Sequence, residues 1–239
     1  MKKNILLVLT AITIGVMAIG CSKSIDTGNT SPSSNASNAN GSPSTNQAHT
    51  TKNTQSDAEI YANKASVIVK EKGDPLEALN IYKKLLVLLP KGHPAREEVF
   101  QYIMKSSLEM AQSDDREKIQ KGIQIATELN NIEAGDFYIE NRLIYGYTSL
   151  AKLEAAKKNW TVALDWTKQA LMLHFNTEAM RERLVIRIEQ AKEDIAKGNN
   201  EEAKKFLADV IDIATLESNK AIYQKELKVA QDLMNKISK

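Results

Sequence analysis

The chain has 239 residues, of which 42% are apolar, 26% charged and one is cysteine. A single cysteine excludes intramolecular disulfides and cysteine-based zinc sites. The formal charge of +2 comes from Lys2 and Lys3; without them 30 Lys and Arg face 30 Asp and Glu. That balance excludes the net basic footprint on which nucleic acid or an anionic lipid surface depends as main partner.

The first 20 residues read as a secretory signal. Lys2 and Lys3 supply a positive start, Ile5 to Ile19 an uncharged apolar core, and Gly20 a small residue before a cut. The core is shorter than the roughly 20 apolar residues a spanning helix needs, and Ser22-Lys23-Ser24-Ile25-Asp26 does not continue it. Ala18-Ile19-Gly20-Cys21 resembles the bacterial lipoprotein signal. The resemblance implies that residues 1–20 are removed and that Cys21 is the lipid attachment site. Cys21 would then carry a diacylglycerol and palmitate-type chains, and two or three chains anchor stably where one is marginal. Localisation would be a bacterial cell membrane or cell envelope, lipid-anchored and extracytoplasmic. An ordinary signal peptide with an incidental cysteine is the alternative.

From Ser22 to Ser56 the composition turns to Ser, Thr, Asn, Gly and Pro, with Ile25 the one large apolar residue. Such a stretch buries too little surface to offset its ordering entropy. Residues 21–56 are therefore expected to be a lipidated, disordered tether with a reach of about 30 to 35 Å. His49 lies in it with no second metal ligand nearby.

Residues 57–239 form the predicted domain. The pattern is helical almost throughout, with no strand signals. Asp74-Pro75-Leu76-Glu77, Asp114-Asp115-Arg116-Glu117 and Asn199-Asn200-Glu201-Glu202 each place a capping side chain three residues before a glutamate. Gly73 and Gly198 precede two of these caps, where a left-handed residue is expected to close the previous helix. Helix pairs are expected at roughly 57–89, 94–130, 136–174 and 177–216. A capping helix from about 219 to 237 would follow, with Ile222, Leu227, Leu233 and Ile237 on one side.

Three segments repeat one another. Gly73-Asp74-Pro75-Leu76-Glu77-Ala78 aligns with Lys158-Asn159-Trp160-Thr161-Val162-Ala163 and with Gly198-Asn199-Asn200-Glu201-Glu202-Ala203, and a weaker copy puts Gly122 in the alanine position. These resemble the second half of a tetratricopeptide repeat. The resemblance implies an all-α fold, a right-handed α-α superhelix of about four helix pairs plus the capping helix. The anchors at 78, 122, 163 and 203 are spaced by 44, 41 and 40 residues, whereas the family unit has about 34. Lengthened helices and loops are the expected difference. Each pair has one apolar face, which only stacking on its neighbours can bury.

In such a solenoid the first helices of the pairs line the concave face, the usual seat of a peptide. Tyr138, Arg142 and Tyr145 lie close together on one first helix and Tyr102 at a comparable place on the preceding one. Tyrosine and arginine combine contact area with polar tips, as binding hot spots do. These four are the candidate partner-binding residues; packing between helices is the alternative for each. Trp160 and Trp166 read as packing residues, and His93 and His174 as helix-end residues. Asn63, Lys64 and Lys152 fall near the positions of a carboxylate-clamping repeat, but Val67 and Thr148 interrupt the set.

No phosphate loop, nucleophile elbow or paired-histidine motif occurs. The expectation is a lipoprotein scaffold, not an enzyme and without cofactor or metal, that binds a protein or peptide partner for complex assembly. A small-ligand or glycan-binding envelope receptor is the alternative, and it requires Tyr102, Tyr138 and Tyr145 to converge on one pocket.

Overall fold

A computed structural model describes residues 46–216 and 219–238, with side chains from residue 56 onward. The leader, Cys21 and the tether as far as residue 45 lie outside the described residues. The described residues hold nine helices and no strand: α1 (Asn46–Lys70), α2 (Pro75–Leu88), α3 (Pro94–Ala111), α4 (Arg116–Ile132), α5 (Phe137–Ala156), α6 (Trp160–Leu173), α7 (Thr177–Ala196), α8 (Asn200–Thr215) and α9 (Gln224–Ile237). The fold is all-α, as the periodicity required. None of the described helices is long and apolar enough to cross a membrane.

Connections of a few residues make successive helices antiparallel. Each helix packs on the next, α1 on α2 through α8 on α9. The odd-numbered helices also pack on one another along their whole row, while among the even-numbered ones α2 touches α4. The core follows this order. One buried cluster joins α1 to α5 through residues such as Leu79, Leu85, Ile103 and Leu129. Another joins α7 to α9 through Leu184, Leu207, Val210 and Tyr223. Smaller clusters around Ile144 and Ile186 fill the span between them.

The repeat anchors are contact points between helices. Ala78, Ala163 and Ala203 are fully buried, so no larger side chain would fit without separating the pair. At Gly122 the approach is closer still. A Cβ there would lie 2.8 Å from the Ala111 amide nitrogen, 2.9 Å from Met110 Cβ and 2.9 Å from the Ser107 carbonyl oxygen. The weak copy has lost its alanine because α3 and α4 cross too tightly for one.

Several helix ends differ from the sequence expectation. Asp74 caps α2 by accepting from the Leu76 amide at 3.1 Å, but α4 is capped by Asp115 instead of Asp114, with the Glu117 amide at 2.9 Å. Asp114 is one residue too early to reach those amides. Asn199 occupies the N-cap position of α8 without a capping bond; its amide turns to Asp194 Oδ1 at 3.5 Å. Asn159 does the same at α6, donating to Glu154 Oε2 at 2.7 Å. In both, the Asn side chain ties the new helix to a carboxylate of the old one. The left-handed residue before α2 is Lys72 (φ 52°) and not Gly73, while Gly198 (φ 80°) takes that conformation as expected. Gly73 is needed for space, since a Cβ would meet Ile68 Cγ1 at 2.7 Å.

The limits of the first and last helices differ from the expectation. Helix α1 starts at Asn46, so 46–56, read as tether, is helical. No Gly or Pro occurs between residues 44 and 72, and extending an existing helix costs far less than starting one. At the other end, 219–223 form a turn before α9 starts at Gln224. Tyr223 is the buried anchor there, its hydroxyl donating to the Thr177 carbonyl at 3.3 Å, and Ile222 is exposed. Leu227, Leu233 and Ile237 pack on the α7–α8 cluster.

Candidate functional site

Residues three and four apart share a helix face, and α3 presents Gln101, Tyr102, Lys105 and Met110 along grooves beside its odd-numbered neighbours. The first groove, about 740 Å³, is lined by the end of α1, the start of α2 and α3, including Val69, Gly73, Tyr102, Lys105 and Met110. Its ionic residues, Lys72, Glu98, Lys105, Glu109 and Lys118, mix both signs. Tyr102 is half-buried at its edge, and its hydroxyl donates to the Gly73 carbonyl. That bond fixes the ring across the α1–α2 turn.

Tyr145 lines the next groove, about 370 Å³, with Gln112, Thr148, Ser149, Lys152 and Glu178. Ser113 borders both grooves. Lys152 lies 3.8 Å from Glu178 and 3.9 Å from Glu182. Burial pushes the Glu182 carboxyl above its ordinary range, and Lys152 only partly offsets this.

Tyr138 and Arg142 share a third groove, about 290 Å³, with Phe100, Gln101, Met104 and Asp136. Gln101 also borders the first groove. The Arg142 Nε donates to the Met104 carbonyl at 3.4 Å, bridging α5 to α3, and its Nη1 donates to the Tyr138 carbonyl. Burial depresses the Arg142 pKa, against the pull of Asp136. A guanidinium keeps its charge regardless, so this groove offers a partly desolvated cation beside an exposed phenol.

The four sequence-predicted residues thus line three adjoining grooves around α3. Tyr138 and Arg142 are brought together; Tyr102 and Tyr145 are not, and the three tyrosines do not converge on one pocket. Packing claims other aromatics. Tyr147 stacks on Trp166 with centroids 5.7 Å apart, and Trp160 Nε1 donates to Glu193 Oε2 at 3.0 Å across to α7. His174 closes α6 with Nδ1 3.1 Å from Glu140 Oε2 and its ring stacked on Phe137 at 5.0 Å.

Of the exposed set around that stack, sequence reasoning picked out Tyr138 alone. Phe137, Tyr138, Met172 and Phe175 are each more than half exposed. A signal was available at Phe175, an apolar residue in the α6–α7 connection where a polar turn residue is usual. Among the described residues no group of three His, Cys, Asp or Glu is placed to hold a metal.

Comparison of the chain with protein-family models, with curated proteins and with solved structures finds no match. The class defined by fold and site is therefore a physical one: an array of antiparallel helix pairs with shallow grooves, lined by residues of both charge signs, along its odd-numbered helices.

Proposed function

We propose that the chain is a bacterial lipoprotein, anchored through acylated Cys21, whose helical array binds a protein or peptide in the cell envelope and helps assemble a complex there. The array is read as a tetratricopeptide-like, right-handed solenoid with the odd-numbered helices on its concave side. The continuous packing of that row, against the sparser contact between even-numbered helices, supports this curvature. Binding is noncovalent and needs no cofactor.

The observation that carries the reading is the chain of three adjoining grooves around α3, linked through Gln101 and Ser113. An extended peptide lays successive side chains into successive shallow depressions, which a compact ligand cannot do. Tyr138 and Arg142 supply an aromatic and cationic anchor at one end, and Tyr145 with Thr148, Ser149 and Gln112 supplies hydrogen-bonding groups at the other.

Crosslinked pull-downs from intact cells, comparing the native chain with Tyr145→Ala, test the groove: loss of at least one partner is expected, and an identical partner list refutes it. Cell fractionation of Cys21→Ala tests the anchor, and a variant as fully membrane-bound as the parent sinks it.

A further inference from the structure

Exposed apolar side chains are concentrated at one end of the helix array. Because successive helices are antiparallel, the starts of odd-numbered helices and the ends of even-numbered ones share an end. Seven of the eleven exposed large apolar residues among those described sit there: Val87 in the last turn of α2, Phe137 and Tyr138 at the start of α5, Met172 and Phe175 at the end of α6, and Leu216 and Ile222 in the α8–α9 connection. By the same criterion the opposite end carries two, Val67 in the last turn of α1 and Val162 in the first turn of α6, and its four connections, 71–74, 112–115, 157–159 and 197–199, contain no large apolar residue. Scattered exposed apolar residues are ordinary, whereas a division between two ends of one array defines two kinds of surface.

We propose that the apolar end rests in the headgroup region of a lipid bilayer, with Phe137, Met172 and Phe175 entering it. Two observations favour lipid over a protein partner. None of the three grooves described above takes up Phe137, Met172 or Phe175; they stand on helix-end turns, the shape that enters a bilayer surface. Phe137, edge-on to Tyr138 at 6.0 Å and stacked on His174, places apolar rings beside polar tips, the chemistry of the membrane–water interface. The ionic residues of this end, among them Lys91, Glu133, Asp136, Glu140 and Lys220, carry both signs, so a zwitterionic lipid suffices. The proposal rests on the envelope location of the previous section for access to a membrane, and not on acylation.

The test uses the full chain carrying Cys21→Ser, which is free of cysteine, with one spin label at Met172→Cys or at Asp114→Cys of the polar end. Phosphatidylcholine vesicles are the probe. The apolar run from Ile5 to Ile19 can itself hold the chain on vesicles, so label depth decides, read as accessibility to oxygen against a water-soluble nickel chelate. The label at 172 is expected in lipid and the label at 114 in water. Adding Phe137→Ser and Phe175→Ser is expected to lower the ratio of inserted to free label at 172 by about tenfold, from the loss of two half-buried rings. Circular dichroism checks that this variant stays helical, and the comparison of labels 172 and 114 stands without it. A label at 172 as water-exposed as that at 114 overturns the proposal, as does an inserted fraction unaffected by the two substitutions in a helical variant. Spin–spin coupling at 172 without lipid also overturns it, because a second copy is then the occupant. Failure of the acyl anchor shows separately, in the Cys21→Ala fractionation.

Discussion

Gly122→Ala should destabilise the protein, although the same change in an exposed helix is favourable by about 1 kcal/mol. The sign turns on the three contacts a Cβ would make, all between 2.8 and 2.9 Å and all with backbone or Cβ atoms of α3. None of these can rotate away, so α3 and α4 must separate. Overpacking of this kind costs about 1 to 3 kcal/mol, and a clash with backbone belongs at the upper end of that range. The net effect is a loss of about 1 to 2 kcal/mol. For a helical domain of this size that lowers the melting temperature by about 2 to 8 °C. Thermal unfolding followed by circular dichroism reads the shift. Gly146→Ala is the control, because the nearest atoms its Cβ would meet belong to the Ile123 and Ala111 side chains and not to backbone, and a smaller loss is expected. A Gly122→Ala protein that melts at or above the parent temperature would refute the tight α3–α4 crossing and restore position 122 as an ordinary alanine slot.

Glu154 accepts from Asn159 and Arg116, and these bonds hold its carboxyl below the usual range. A depressed folded pKa means its contribution is present above the unfolded value of about 4.3 and is lost as pH falls through the folded one. Glu154→Gln is therefore expected to cost about 1 to 2 kcal/mol at pH 7, with the difference from the parent shrinking below pH 4 in urea titrations; a difference constant with pH contradicts this account. Tyr223→Ala removes a fully buried ring and should cost about 3 to 5 kcal/mol. Hydrogen exchange should rise most in α8 and α9, and uniform acceleration over α1 to α4 would show that the capping helix is not a local unit.

The helical period, the pair limits and the cap at Asp74 were legible before the structure because they are local. A 3.6-residue apolar stripe and an Asp before a helix act within one or two turns. Where the reading slipped, a competing contact from elsewhere in the chain had decided the geometry. Asn199 has the right residue type for a cap, yet its amide is drawn to Asp194. Gly73 has the right type for a left-handed turn, yet it is used for its missing Cβ against Ile68 while Lys72 takes the positive φ. Tyr223 escaped notice because a single tyrosine in a connection looks like surface until Thr177 and α7 close over it.

The candidate site divides in the same way. Choosing Tyr102, Tyr138, Arg142 and Tyr145 needed only residue chemistry and helical phase, and all four line grooves. Which residues share a groove depends on how α3 sits between α1 and α5, a relation between helices some 40 residues apart in the chain that no local period encodes. The amino-acid order alone established a helical array of paired segments and their approximate limits, since propensity and apolar periodicity are properties of neighbours. Tertiary packing alone decided that Tyr102 and Tyr145 belong to different grooves, that Gly122 cannot be alanine and that exposed apolar side chains gather at one end of the array. Those outcomes depend on distances between separate helices, and burial is a property of the assembled row and not of any one segment.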